Sequence, residues 1–259
     1  MPLMHYKIIE ILEKNIDSTT DSHYGNLSIL IKNDHIEAEA QVYSELVANK
    51  LAILLGIPVA VGVPAKFSKT NNLTNFVSLI AFEEGKEIYD FTKLDHRDLE
   101  LPQNLREGVI KDMDHLQEIL KLIRIYPKEI AYLTVFDYWI GNQDRMLNFN
   151  AEINTNERGL IFAIDHGSTL LACSSTINKS LEKLEDSKFP KFHPFQKLLS
   201  PFFVEEMIER IKSIPDWSLE LATIFDENIG NATIADQYTL FDMLKKRRSF
   251  LQDQLSLIL

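Results

Sequence analysis

Two short polar segments of this chain carry the residues best suited to chemistry. The first is NQDRMLNFN, residues 142–150, and the second is IFAIDHG, residues 161–167. Both contain carboxylate and carboxamide side chains, whose oxygens are ligands that Mg²⁺ prefers. The pattern is typical of a site that holds Mg²⁺ and a nucleoside triphosphate while a hydroxyl group is phosphorylated.

In the first segment, Asp144 is predicted to orient the attacking hydroxyl group or to accept its proton. Taken alone, Asp144 could equally cap a turn, because Asp and Asn commonly do so. Asn148 follows four residues later, and its carboxamide oxygen is a suitable neutral ligand for Mg²⁺. Asn150 competes for the same role, and spacing alone does not decide between the two asparagines.

The second segment places Asp165 at the end of a predicted strand, where a carboxylate facing a cleft suits a metal ligand. Gly167 follows and gives the backbone conformational freedom. A plain Asp-His-Gly turn is the alternative, but two such acidic sites joined by a short hairpin seldom coincide by chance. We expect His166 to bond the neighbouring turn or pack beneath the metal site rather than act as an acid or base.

A lysine on a strand and a glutamate on a helix precede these segments. Lys32 closes the run LSILIK, residues 27–32, in which alternation puts Lys32 and Leu30 on one face. Lys32 is therefore placed to reach phosphates while Leu30 covers a base, although a solvent-facing lysine is equally common at a strand end. Glu45 could pair with Lys32 and fix its position, or lie on a solvated helix face.

The elements that would position these residues fall into two groups. The first third of the chain has strand character, with one helix, and the pattern becomes mainly helical from about residue 87. The predicted strands are 27–32, 59–67, 75–82, 149–153 and 160–164, and the predicted helices are 37–56, 113–125, 128–142, 202–213 and 235–259. This order predicts an α+β fold with a single domain, a small β-rich lobe at 1–85 and a larger, mainly helical lobe at 86–259.

The overall composition narrows the class of protein. The net charge of −11 argues against general nucleic-acid binding, which needs a basic surface. The single cysteine, Cys173, permits no internal disulfide, indicates a reducing compartment and is predicted to be a small buried hydrophobe. No apolar run is long enough to span a membrane, and the N-terminus lacks the features of a signal peptide, so a cytoplasmic location is expected.

Three further segments carry weaker signals. The stretch DSTTDSHYG, residues 17–25, offers hydroxyl groups and backbone amides to phosphates, but it lacks the repeated glycines of a strong phosphate loop. Residues 168–195 are rich in Ser, Thr and Lys, which predicts a mobile acceptor-binding or regulatory loop. The basic run KKRR, residues 245–248, is predicted to lie on a solvated helix face.

The order of strand lysine, helix glutamate, Asp-Arg-x-x-Asn and strand-end Asp-His-Gly resembles the protein-kinase-like fold. Within that fold the chain most resembles the HipA-like kinases, in particular the stand-alone HipA-like kinase domains. The resemblance is carried by FDYWIGNQDRMLNFN (136–150) and FAIDHGSTL (162–170), with weaker support from LSILIK (27–32) and SELVANKLAILLGIPV (44–59). It covers about half of the chain.

The resemblance implies an ATP- and Mg²⁺-dependent phosphotransferase that acts on a serine or threonine hydroxyl of a protein. Lys32 would contact the α- and β-phosphates and Glu45 would orient it. Asp144 would be the catalytic aspartate, and Asn148 and Asp165 would be the metal ligands. The asparagine usually follows the aspartate by five residues in the family, whereas Asn148 follows by four.

The resemblance also implies how the base of ATP is held. The strand at 76–82, with Ser78 and Ala81, would lead into a hinge that hydrogen-bonds adenine. A small-molecule kinase and a non-catalytic, pseudokinase-like binding module are the alternatives. No nucleic-acid or membrane partner is expected.

Overall fold

The computed structural model of the chain describes residues 5–6, 8–16, 20–67, 73–80, 88–90, 113–145, 148–152 and 159–256. For residues 88–90 and 113–118 it describes the backbone alone. The fold is a mixture of α-helices and small β-sheets. The division into two lobes stays a prediction.

The strands of the described ranges form three small antiparallel sheets. The first is a hairpin of β1 (Ile8–Lys14) and β2 (His23–Leu27). The second has the order β3-β5-β4, with β3 at Ile29–Lys32, β4 at Gly62–Ala65 and β5 at Asn75–Leu79. The third has the order β6-β7-β8, with β6 at Ile88–Asp90, β7 at Phe149–Glu152 and β8 at Ile161–Ala163.

The helices agree with the sequence analysis in their main members. They are α1 (Gln41–Leu55), α2 (Met113–Ile125), α3 (Pro127–Ile140), α4 (Ile177–Glu185), α5 (Pro201–Lys212), α6 (Asp216–Thr223) and α7 (Ile234–Ser256). Among these, α4 and α6 have no counterpart in the sequence prediction. No helix within the described ranges combines the length and the apolar character that crossing a membrane requires.

A glycine follows the last residue of α1 and of α3. Both Gly56, after α1, and Gly141, after α3, have a left-handed backbone with φ of +71°, which costs glycine little and other residues more. A Cβ atom on Gly141 would lie 2.5 Å from Cδ2 of Leu184. The chain therefore leaves α3 through a sharp turn that packs closely against α4.

The hydrophobic core surrounds α1 and α3, which are buried on nearly all sides. Helices α5, α6 and α7 complete this cluster. A second cluster joins α2 to the β7–β8 hairpin. The Tyr126 hydroxyl lies 2.7 Å from the carbonyl oxygen of Glu152 and 3.1 Å from that of Leu160. This contact fastens the end of the hairpin to the start of α3.

Two sequence predictions, for residues 168–195 and for residues 245–248, are correct only in part. Residues 168–195 do not form a loop throughout, because they contain a 3-10 helix at Leu170–Ala172 and the helix α4, and many of their apolar side chains are buried. In the basic run 245–248, Arg247 is fully buried. Its guanidinium donates to the carbonyl oxygens of Tyr138, Trp139, Leu184, Asp186 and Phe189. Helix ends expose such unpaired carbonyls, and a cation is stabilising there.

Candidate active site

A cavity of about 180 Å³ lies between the β3-β5-β4 sheet, the helix α1 and the β7–β8 hairpin. Its lining includes Leu30, Lys32, Glu45, Asn49, Ser78, Asn150, Phe162 and Asp165. Most of the predicted site residues therefore face one space. Of the others, Asp144 and Asn148 lie in the chain between α3 and β7, and Ala81 lies outside the described residues.

Lys32 bridges two carboxylates at this cavity. Its Nζ atom is 2.5 Å from Oε1 of Glu45 and 2.8 Å from Oδ1 of Asp165. The side chains of Lys32 and Glu45 are only 13% and 2% exposed. Burial alone would lower the pKa of Lys32, but the two carboxylates outweigh burial and raise it. Lys32 is therefore a firmly protonated, oriented cation.

Glu45 also holds the backbone beyond Asp165. Its Oε2 atom accepts a hydrogen bond of 3.0 Å from the backbone N–H of His166. Asp165 has a left-handed backbone with φ of 53°, which Asp tolerates better than most residues. Burial favours the neutral acid of Asp165, but the Lys32 ammonium outweighs it and holds the pKa of Asp165 below its ordinary value. Asp165 is thus an ionised carboxylate at the cavity wall.

Asp144 lies in the loop that follows Gly141. Its backbone N–H donates to Oδ1 of Asn142 at 2.9 Å, and its Oδ2 atom lies 3.5 Å from Oγ of Ser168. Burial and the nearby charge of Asp165 raise the pKa of Asp144 above its ordinary value. A more basic carboxylate is a better acceptor for the proton of a hydroxyl group.

A fully buried polar cluster fixes this loop, and the sequence analysis missed it. Asp137 on α3 accepts two hydrogen bonds from Arg145, from Nε at 2.7 Å and from Nη2 at 3.0 Å. Nε2 of His193 lies 3.1 Å from the same carboxylate. Burial opposes ionisation of Asp137, but Arg145 and His193 lower its pKa well below the ordinary range. The sequence does contain a signal for this cluster: Asp137 stands among the apolar residues of α3, and a buried carboxylate needs a partner.

Arg145 connects the two segments that carry the acidic residues. Its Nη1 atom donates to the carbonyl oxygen of Ile164 at 2.9 Å and also to the carbonyl oxygen of Asn148. Arg145 follows Asp144 in the chain, and Ile164 precedes Asp165. The buried guanidinium therefore sets the position of one acidic residue relative to the other.

The two asparagines occupy different places. Asn148 uses its carboxamide nitrogen to donate to the carbonyl oxygen of Asp144 at 2.6 Å. The backbone N–H of Ile164 donates to the carbonyl oxygen of Asn148 at 3.1 Å, so Asn148 lies opposite the residue before Asp165. Asn150 pairs with Phe162, two residues further back, and lines the cavity. In strand register, Asn148 is the asparagine nearer to Asp165.

His166 and Cys173 are both buried, as the sequence predicts. Burial lowers the pKa of His166 to about 3, so its ring is neutral. It packs edge-on against Phe136, with ring centroids 6.0 Å apart. This position agrees with a packing role rather than acid–base chemistry.

A solved structure has a similar fold. The proinflammatory kinase CtkA of Helicobacter pylori superposes with a TM-score of 0.57 at 19% sequence identity, over 88% of each chain. The chain therefore shares the fold of this solved structure. HipA of Shewanella oneidensis MR-1, in complex with HipB and operator DNA, gives a TM-score of 0.49 at 15% identity over 95% of this chain and 65% of that chain. No protein-family model and no curated protein sequence matches.

Proposed function

We propose that the protein is an ATP- and Mg²⁺-dependent phosphotransferase that transfers the γ-phosphate to a hydroxyl group. The observation that carries this proposal is the convergence, at one cavity, of the buried Lys32–Glu45 pair and Asp165, with Asp144 on the adjoining loop. The fold supports it, because a protein that shares the fold is itself described as a kinase.

Each of these residues has a distinct part in the proposed reaction. Lys32 carries the positive charge that phosphate oxygens require, and Glu45 keeps the ammonium aimed into the cavity. Asp144 holds the acceptor hydroxyl and takes its proton as the oxygen attacks phosphorus. ADP leaves from the opposite side of the transferred group, toward Lys32.

The donors near Asp165 fit a magnesium ion. The Asn148 nitrogen is already bonded to Asp144, so the remaining carboxamide atom is an oxygen. The contacts of Asp165 to Lys32 and to the N–H of Gly167 both involve Oδ1. One carboxylate and one carboxamide suit Mg²⁺, which usually completes its shell with phosphate oxygens and water. The bound ion would neutralise charge on the triphosphate.

We propose a serine or threonine hydroxyl of a protein as the acceptor, as the resemblance to HipA-like kinases implies. A small-molecule kinase would transfer the labelled phosphate of ATP to a small molecule instead of to a protein. A non-catalytic binding module would bind the nucleotide without transferring phosphate. These alternatives are separated by following both nucleotide binding and phosphate transfer in the same set of variants.

The test compares thermal unfolding with and without Mg-ATP in the wild type, Asp165→Asn and Asp144→Asn. A ligand that binds only the folded state stabilises it by about 2.7 kcal/mol at a hundred times its Kd. The wild type should therefore melt at a higher temperature with Mg-ATP, and Asp165→Asn should lose most of that rise. Asp144→Asn should keep the rise but lose transfer of radiolabel from ATP to protein substrates.

The exposed residue Asp253 provides the matched control, because Asp253→Asn makes the same chemical change at a residue that does not line the cavity. It should behave as the wild type does in both measurements. Absence of any nucleotide response at millimolar ATP would refute the proposed function. Binding of ATP without transfer to any protein or small-molecule acceptor would establish the binding module instead.

A further inference from the structure

Two buried polar atoms of the described residues that line the cavity have no hydrogen-bond partner, Oδ1 of Asn150 and Nε2 of His166. The Oδ1 atom of Asn150 is buried and accepts no hydrogen bond in the structure. Asn49, another asparagine of the same cavity, differs: its nitrogen donates to the carbonyl oxygen of Ala60 at 2.7 Å, and its oxygen accepts from the N–H of Gly62 at 3.1 Å. The unpaired oxygen is therefore a property of position 150 and not of asparagines in this cavity generally.

The strand register places Asn150 further along the hairpin from Asp165 than Asn148. Asn150 on β7 pairs with Phe162 on β8, three residues before Asp165, whereas Asn148 lies opposite Ile164, directly before Asp165. The lining of the cavity also includes the apolar side chains of Leu30 and Ile80. Of the two asparagines, Asn150 is thus the less suited to bind a metal ion together with Asp165.

A buried oxygen without a donor is unfavourable, because it has lost water and gained nothing in exchange. A bound molecule with a hydrogen-bond donor would remove that cost. The triphosphate cannot supply the donor, since its oxygens are acceptors at neutral pH. The nucleoside part can, through the amino group of its base or a ribose hydroxyl.

We propose that Asn150 is a recognition residue for the nucleoside part of the phosphate donor, accepting a hydrogen bond through Oδ1. This inference rests on the proposed function and adds a specificity determinant to it. It also assigns the two asparagines separate tasks: Asn148 serves the metal end of the site, and Asn150 serves the nucleoside end.

The test is isothermal titration calorimetry of Mg-ATP with the wild type and with Asn150→Leu, together with thermal unfolding of both proteins without nucleotide. Leucine has a similar size and removes the polar atoms. We expect about tenfold weaker binding of ATP, as for the loss of one hydrogen bond to a site built for it. We also expect no loss of melting temperature without nucleotide, because the substitution removes an unpaired buried oxygen. A purely structural role would instead lower the melting temperature.

Two ATP analogues identify the donor group. One lacks the 6-amino group of adenine, and the other lacks both the 2′- and the 3′-hydroxyl of ribose. The wild type should lose about tenfold affinity for one of them, whereas Asn150→Leu should bind that analogue and ATP equally. Asn178→Leu, on the exposed face of α4, is the matched control and should bind like the wild type.

The outcomes separate this inference from the proposed function. Wild-type affinity of Asn150→Leu for ATP would overturn the inference alone. It would also be overturned if the wild type bound ATP and both analogues with equal affinity. A changed Mg²⁺ requirement in Asn150→Leu would overturn it too, because that result would place Asn150 at the metal. If the wild type binds no nucleotide at all, the proposed function fails and the inference falls with it.

Discussion

Replacing Asp137 by asparagine should be one of the most damaging single changes in this protein. The substitution keeps the shape of the side chain but leaves the Arg145 guanidinium buried without its carboxylate. The side chains of Asp137 and Arg145 are both 0% exposed, so water cannot replace the lost partner. Removing one member of a buried ion pair costs about 3–5 kcal/mol. For a chain of this size, that corresponds to a fall in Tm of roughly 6–20 °C.

Urea and thermal unfolding of Asp137→Asn measure this loss directly. The matched control is Asp216→Asn, because Asp216 pairs with Arg248 at 2.7 Å on the surface. Both variants lose one Asp–Arg contact, but only the first leaves a buried charge. The control should therefore change stability far less, as exposed pairs do.

A thermodynamic cycle with Arg145→Met tests the reasoning further. If the cost of Asp137→Asn comes from the orphaned guanidinium, the double variant should be clearly more stable than the sum of the two single losses. Additive losses would show that the two side chains do not stabilise each other. A fall in stability no larger than that of the surface control would refute the argument from burial.

Two other predictions concern the buried basic side chains of His193 and Arg247. Burial outweighs the attraction of Asp137 and lowers the pKa of His193 below its ordinary value. The unfolded chain therefore binds a proton that the folded chain does not. The free energy of unfolding should fall as the pH drops below about 6.5. In urea titrations, His193→Gln should reduce the slope of unfolding free energy against pH below about pH 6.5 by up to about 1.4 kcal/mol per pH unit, and an unchanged slope would contradict the assignment. Arg247→Met should lower stability by about 3 kcal/mol or more, because charge-assisted hydrogen bonds to several backbone carbonyls are lost. Arg248→Met serves as its neighbour control, and equal losses would show that the buried carbonyl contacts contribute little.

The parts of the fold that the sequence predicts best have strong local signals. Helices α1 and α3 end at Leu55 and Ile140, within two residues of the predicted ends at 56 and 142, and a glycine follows each of them. The strand β3 puts Leu30 and Lys32 on one side through simple alternation, and both line the cavity. These features depend on neighbouring residues in the chain, so the sequence alone is sufficient to predict them.

The missed features depend on distant partners or lack a periodic pattern. The β1–β2 hairpin is exposed along its whole length, so no alternation of apolar residues reveals it. Arg247 stands in a basic run that is typical of a solvated face, yet its partners are carbonyls more than 50 residues away in sequence. In the same way, nothing near Asn150 shows that its oxygen would be left unpaired inside a cavity.

The guanidinium of Arg145 has a consequence for how this protein can vary. It lies at the base of the β7–β8 hairpin and donates hydrogen bonds to the backbone carbonyl oxygens on both sides, at Asn148 and at Ile164. The spacing of the two acidic residues, Asp144 and Asp165, is therefore set at the base of the hairpin, where Arg145 bonds Asn148 and Ile164. Insertions or deletions in the chain between Glu152 and Gly159 should therefore leave Asp144 and Asp165 in place, so the length of that segment can diverge while the site is kept.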